Sequence, residues 1–225
     1  MKYFSTRNSN EKVSASWAIS HGLAPDGGLY VPESLPQFSL DDIINLGKSD
    51  YRGRAFGIIK PFLDEFTEDE LKAMILRAYG DNFDSADTAP VHFLDEKTAV
   101  LELWHGPTCA FKDMALQMLP HLLTASLKKC GERRKVCILV ATSGDTGKAA
   151  LEGFADVENT KILVFYPHNG VSDVQQLQMV TQTGDNVGVA AVRGNFDDAQ
   201  TGVKQIFGDA AFEGTIIAKK HGGIN

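Results

Sequence analysis

Val136-Cys137-Ile138-Leu139-Val140-Ala141-Thr142-Ser143-Gly144-Asp145-Thr146-Gly147 is a β-rich apolar run that turns through a glycine into a polar segment. The segment that follows, Thr146 to Ala155, reads as a helix, so the stretch is a strand feeding a helix. The same pairing recurs downstream. Lys161 to Tyr166 reads as a strand and Ser172 to Gln182 as a helix capped by Ser172. Val187 to Val192 reads as a strand and Asp197 to Phe207 as a helix. Upstream, Thr98 to Trp104 reads as a further strand, and Lys112 to Lys129 as a helix kinked at Pro120. Strands alternating with helices at this spacing predict βαβ units, a parallel sheet and right-handed connections. Ligands in such sheets bind beyond the carboxyl ends of strands, which is where this reading puts the loops at Lys112 and Ser143.

The first ninety residues have a different texture and read as a small N-terminal accessory domain, 1–90, ahead of an α/β region over 91–225. Met1 to Thr6 reads as a short strand. Ala24-Pro25-Asp26-Gly27-Gly28-Leu29-Tyr30-Val31-Pro32 is a turn leading into an extended piece, because Asp-Gly-Gly supplies positive-φ positions. Thr67-Glu68-Asp69-Glu70 is a capping box opening a helix that ends near Gly80.

Composition narrows the function classes. The net charge of −7 gives no support to nucleic-acid binding, which favours a basic face. No run approaches the ~18 apolar residues of a membrane span, and Met1 to Trp17 lacks a signal-peptide core. The three cysteines, Cys109, Cys130 and Cys137, form neither an even framework nor a CxxC pair, which points to a reducing compartment and a cytoplasmic protein.

Several segments carry chemistry. Lys112 lies in Leu103-Trp104-His105-Gly106-Pro107-Thr108-Cys109-Ala110-Phe111-Lys112-Asp113-Met114-Ala115. A lysine at a helix start is most often a solvated surface residue. Here it follows an apolar phenylalanine and a Gly-Pro turn, and the helix dipole disfavours its charged form, as a lysine nucleophile requires. The Thr142 to Lys148 segment fails as a nucleotide P-loop: threonine stands at 142 where glycine is needed, and Ala149 where a magnesium-binding hydroxyl is needed. Two readings remain: a strand-to-helix turn capped by Thr or Asp, or a small anion cradle in which the hydroxyls of Ser143 and Thr146 and free N–H groups grip one carboxylate. In Gly194-Asn195-Phe196-Asp197-Asp198, adjacent aspartates disfavour phosphate, and Asp197 reads as a helix cap. His105 and Cys109 lack a second ligand pair for zinc, and His21, His92, His121, His168 and His221 are scattered. A lysine able to form a Schiff base, beside a loop able to hold a carboxylate, is what pyridoxal-phosphate chemistry on an amino acid needs.

Taken together, the Asp26 to Pro32, His105 to Asp113, Ala141 to Gly147 and Phe196 to Gln200 segments resemble those of the threonine synthases, pyridoxal 5'-phosphate enzymes of the tryptophan-synthase-β-like fold. The His105 to Asp113 motif is the most specific. The resemblance implies an α/β fold with a parallel sheet and flanking helices, incomplete here, because family chains are about twice this length. It implies that Lys112 carries the cofactor, that Ser143, Gly144 and Thr146 bind the substrate carboxylate, and that Asp145 lies beside the cofactor, where related folds usually place asparagine. The implied reaction converts O-phospho-L-homoserine and water to L-threonine and phosphate. Two alternatives stand beside it: a threonine-synthase-like phospho-lyase, and a catalytically inactive truncated module. The family's cofactor-phosphate loop and ring-nitrogen partner are expected in the half absent here. The chain alone is therefore expected to fold, to self-associate through an open sheet edge at Val187 to Val192 or Thr215 to Ala218, and to show little turnover.

Overall fold

A computed structural model of the chain describes residues 1–208 and the strand Ile217–Lys219. In chain order the elements are β1 (Tyr3–Ser5), β2 (Asn8–Val13), α1 (Ala15–His21), β3 (Tyr30–Pro32), α2 (Leu40–Gly47), α3 (Tyr51–Ile59) and α4 (Glu68–Ala78). Then come β4 (Val91–Phe93), β5 (Ala99–Leu101), α5 (Asp113–Leu116) and α6 (Leu119–Lys129). The series β6 (Val136–Ala141), α7 (Asp145–Phe154), β7 (Thr160–Pro167), α8 (Asp173–Val180), β8 (Val187–Val192), α9 (Phe196–Gly208) and β9 (Ile217–Lys219) follows.

The parallel sheet runs β8-β7-β6-β9, and every pairing in it is parallel. The chain is thus an α/β fold, with the sheet at its centre and helices against it. The apolar runs of β6 and β7 drive it: Val136, Ile138, Ile162 and Val164 are each 2% exposed or less, and they meet Leu151 and Phe154 of α7 and Met179 of α8. The outer edge of β8 has no partner strand among the described residues. Of the other expected edge run, only Ile217 and Ala218 fall within the described residues.

The N-terminal region has its own three-stranded antiparallel sheet, β2-β1-β3, and a second core of Leu63, Phe66, Leu71, Met74, Ile75 and Phe83. The capping box is formed as the sequence predicts, with Thr67 accepting from the Glu70 N–H and Glu70 accepting from the Thr67 N–H. Ile19 of α1 packs against both cores, and the Tyr79 hydroxyl donates to the Met114 carbonyl at 2.7 Å. The N-terminal region is therefore braced against the lysine-bearing segment.

Three expectations are corrected. The strand expected over Thr98 to Trp104 is only Ala99–Leu101, and it pairs antiparallel with β4 instead of joining the parallel sheet. The cause is local: Asp95 accepts from the N–H groups of Lys97 and Thr98 and folds the chain into a hairpin, whereas a parallel partner would need a crossover of about a dozen residues. Lys112 therefore does not follow a strand of the parallel sheet. Second, the helix expected over Lys112 to Lys129 is two helices, broken at Gln117–Met118. Pro120 has no N–H to donate to the Leu116 carbonyl one turn earlier, so the hydrogen-bond ladder stops there. Third, α9 is capped by Asn195 and not by Asp197: the Asn195 amide oxygen accepts from the Asp198 N–H at 3.0 Å, and the Asp198 carboxylate accepts from the Asn195 N–H at 2.8 Å.

Candidate active site

The Lys112 loop is a set of tight turns closed by one carboxylate. The N–H of Cys109 donates to the Gly106 carbonyl, and that of Asp113 to the Ala110 carbonyl. Asp113, fully buried, accepts from the Thr108 N–H at 2.9 Å and the Thr108 hydroxyl at 2.7 Å. The residue following Lys112 is thus pinned to the residue four before it. Lys112 itself is half-buried, and its ammonium lies 4.8 Å from the centroid of the Phe111 ring. It makes no hydrogen bond or ion pair among the described residues. The helix it opens is four residues long, so a full helix dipole does not act on it as the unbroken helix would have.

At the base of the loop the His105 ring is held between two carboxylates, Glu102 at 2.7 Å and Asp84 at 2.5 Å. Their hydrogen bonds, that of Glu102 foremost, raise its pKa above the ordinary 6.5. A folded value above the unfolded one means that the imidazolium stabilises the fold. That contribution is complete below the unfolded value of 6.5 and is lost as pH rises through the raised folded value. Denaturation midpoints of wild type and His105→Gln should differ most in acid and approach each other as pH rises through this window. A gap independent of pH would contradict the assignment.

The Ser143 loop follows β6, at the carboxyl end of the parallel sheet. Its organiser is Thr142, 2% exposed, whose hydroxyl oxygen accepts from the N–H groups of Gly144 at 3.0 Å and Gly147 at 2.9 Å. Gly144 takes φ 145°, a left-handed conformation that favours glycine, and a Cβ there would lie 2.5 Å from the Gln175 amide carbon. The hydroxyls of Ser143 and Thr146 and the N–H groups of Asp145 and Thr146 carry no hydrogen bond among the described residues. Asp145 accepts from the Gln175 side-chain amide at 2.9 Å and pairs with Lys148 at 3.3 Å. Lys148 is only 7% exposed, so that pair occupies the lysine a nucleotide phosphate would need.

The two loops do not touch through hydrogen bonds, yet both are fastened to the same scaffold. Helix α5 packs on α7. A Cβ at Gly153 of α7 would lie 2.2 Å from the Leu116 carbonyl oxygen, which Pro120 leaves without a donor among the described residues. On α8, Gln175 reaches Asp145 while Gln178, one turn later, donates to the Thr108 carbonyl at 3.4 Å. Thr142, Asp113, Gln175 and Gln178 were not legible as site residues. A buried threonine just before the loop and an aspartate at a helix start are weak signals, and glutamines on a polar helix face give none.

The family model described as the threonine synthase N terminus matches residues 2–79. The threonine synthase of Pseudomonas aeruginosa is 45% identical over 94% of this chain and 45% of its own length. The structure of PLP-bound threonine synthase from Brucella melitensis aligns with a TM-score of 0.92 at 39% identity, covering 100% of this chain and 48% of that one. Over nearly its whole length the chain is similar to the N-terminal part of threonine synthases. The crystal structure of threonine synthase from yeast gives 0.88 at 36% identity, over 97% of this chain and 46% of that one. The chain thus spans about half the length of the threonine synthases it matches.

Proposed function

We propose that this chain supplies the lysine-bearing part of a threonine synthase, a pyridoxal 5'-phosphate-dependent lyase that converts O-phospho-L-homoserine and water to L-threonine and phosphate. The observation that carries this reading is a lysine without a hydrogen bond or ion pair among the described residues, its loop locked by Asp113, on the same scaffold as an open anion cradle. The residues present fit the cofactor and its substrate: an ammonium without an ion pair suits an aldehyde, and free hydroxyl and N–H donors suit a carboxylate. When bound, the cofactor withdraws electrons from the substrate's α- and β-carbons.

The chain's own residues divide the remaining work. Lys112 holds the cofactor and moves protons at Cα and Cβ of the substrate. The Ser143 and Thr146 hydroxyls, with the N–H groups of Asp145 and Thr146, grip the α-carboxylate, and Gly144 lets the backbone come close. Asp145, fixed by Gln175 and Lys148, would lie beside the bound cofactor. The Phe111 ring lies beneath the Lys112 ammonium and favours its position through a cation–π contact. Residues 1–90 act as an accessory unit that braces this region, since their core takes in Met118 and packs against Met114, Leu122 and Ala125.

The reading extends to a cytoplasmic enzyme, which three cysteines without a disulfide support, and to no nucleic-acid partner, which the net charge of −7 supports. Among the described residues no helix is long and apolar enough to cross a membrane. The open edge of β8 supports self-association. Calorimetric titration of the chain tests the cradle. O-phospho-L-homoserine should bind, with Ser143→Ala and Thr146→Val each weakening it roughly tenfold, the scale of a hydrogen bond to a charged group. Magnesium ATP should not bind. Tight ATP binding lost in Lys148→Ala would overturn the carboxylate reading.

A further inference from the structure

We infer that Gln175 and Gln178, on one face of α8, are positioning residues that set the Lys112 loop and the Ser143 loop in register with each other; the inference rests on the functional reading above. The two side chains are one helical turn apart and reach different loops. Gln175 donates to Asp145, and its amide fills the space that a side chain at Gly144 would occupy. Gln178 donates to the carbonyl of Thr108, the residue whose N–H and hydroxyl hold Asp113 next to Lys112. A single rigid helix thereby fixes both ends of the site, which otherwise sit on separate loops.

Packing alone does not account for this pair. The Gln178 side-chain carbonyl oxygen is buried without a partner among the described residues, a cost that leucine would not carry. Local rules broken in this way concentrate where function imposes them. Gln175 does have a structural task, since its carbonyl oxygen accepts from the Ser172 N–H in the helix capping box. That task can be separated from the positioning one. Gln175→Glu keeps the capping box, which glutamate serves well, but sets a carboxylate against Asp145.

The probe is pyridoxal phosphate with cyanoborohydride, reading the rate of label at Lys112 by mass spectrometry, alongside hydrogen exchange of the amides in 106–113 and 143–147. Gln178→Leu should speed exchange in 106–113 and slow labelling at Lys112, and Gln175→Glu should speed exchange in 143–147 and slow labelling. Each change should be about three- to tenfold, the scale of one hydrogen bond. Neither variant should lower the melting midpoint appreciably. Wild-type exchange and labelling rates in both variants would overturn the inference, as would losses that simply follow a lowered melting midpoint. If the wild-type chain takes no label at Lys112, the functional reading fails, and the exchange data still decide the role of the glutamines.

Discussion

Replacing Lys112 with alanine should abolish covalent capture of pyridoxal phosphate while leaving the fold almost untouched. The ammonium makes no hydrogen bond or ion pair among the described residues, and its contact is the Phe111 ring, itself 55% exposed. Stability should therefore change by no more than about 0.5 kcal/mol, as for other surface substitutions. Chemistry should respond very differently. In any threonine-forming preparation containing this chain, loss of a positioned proton-transfer group should lower turnover by about 10²–10⁴-fold, and loss of the attachment point should add to that. Thermal melting and turnover of the same Lys112→Ala preparation test this. Retained turnover, or a collapse in stability equal to the collapse in activity, would show that the lysine does something else.

Gly153→Val should destabilise the fold strongly. A Cβ at Gly153 would sit 2.2 Å from the Leu116 carbonyl oxygen, and that neighbour is backbone, which cannot swing aside. Helix α5 would have to move away from α7, carrying the Lys112 loop with it. The expected cost is about 3 kcal/mol, the upper part of the range for overpacking a tight contact. Denaturant unfolding measures it, and labelling at Lys112 should fall in parallel. A fully stable Gly153→Val protein would mean that α5 and α7 do not touch as described.

The sequence and the structure agree where the local residue pattern is strong. Strands β6 and β8 have the bounds their apolar runs predict, and α8 starts at the cap offered by Ser172. In each case the residue pattern and the tertiary environment demand the same conformation. Disagreement begins where local chemistry dominates. The β4–β5 hairpin was invisible because its strands are three residues long and mostly exposed, so no face is marked by alternation. The break ahead of Pro120 was legible as a kink, but its consequence was not: it leaves a four-residue helix at Lys112 and a bare carbonyl against Gly153. The candidate positions Lys112 and Ser143 to Thr146 stood out through residue type and loop context. The groups that hold them, Thr142, Asp113, Gln175 and Gln178, act through contacts with residues distant or buried, which no local pattern encodes.

Of the lysines in the chain, Lys112 is the one proposed to meet the cofactor. The direct test is borohydride reduction of the protein mixed with pyridoxal phosphate, followed by peptide mapping. The account predicts a label on the peptide carrying Lys112, with little on Lys148, whose ammonium is buried against Asp145, or on Lys128 in the last turn of α6. A label on Lys128 or Lys148 with Lys112 unmodified would contradict it.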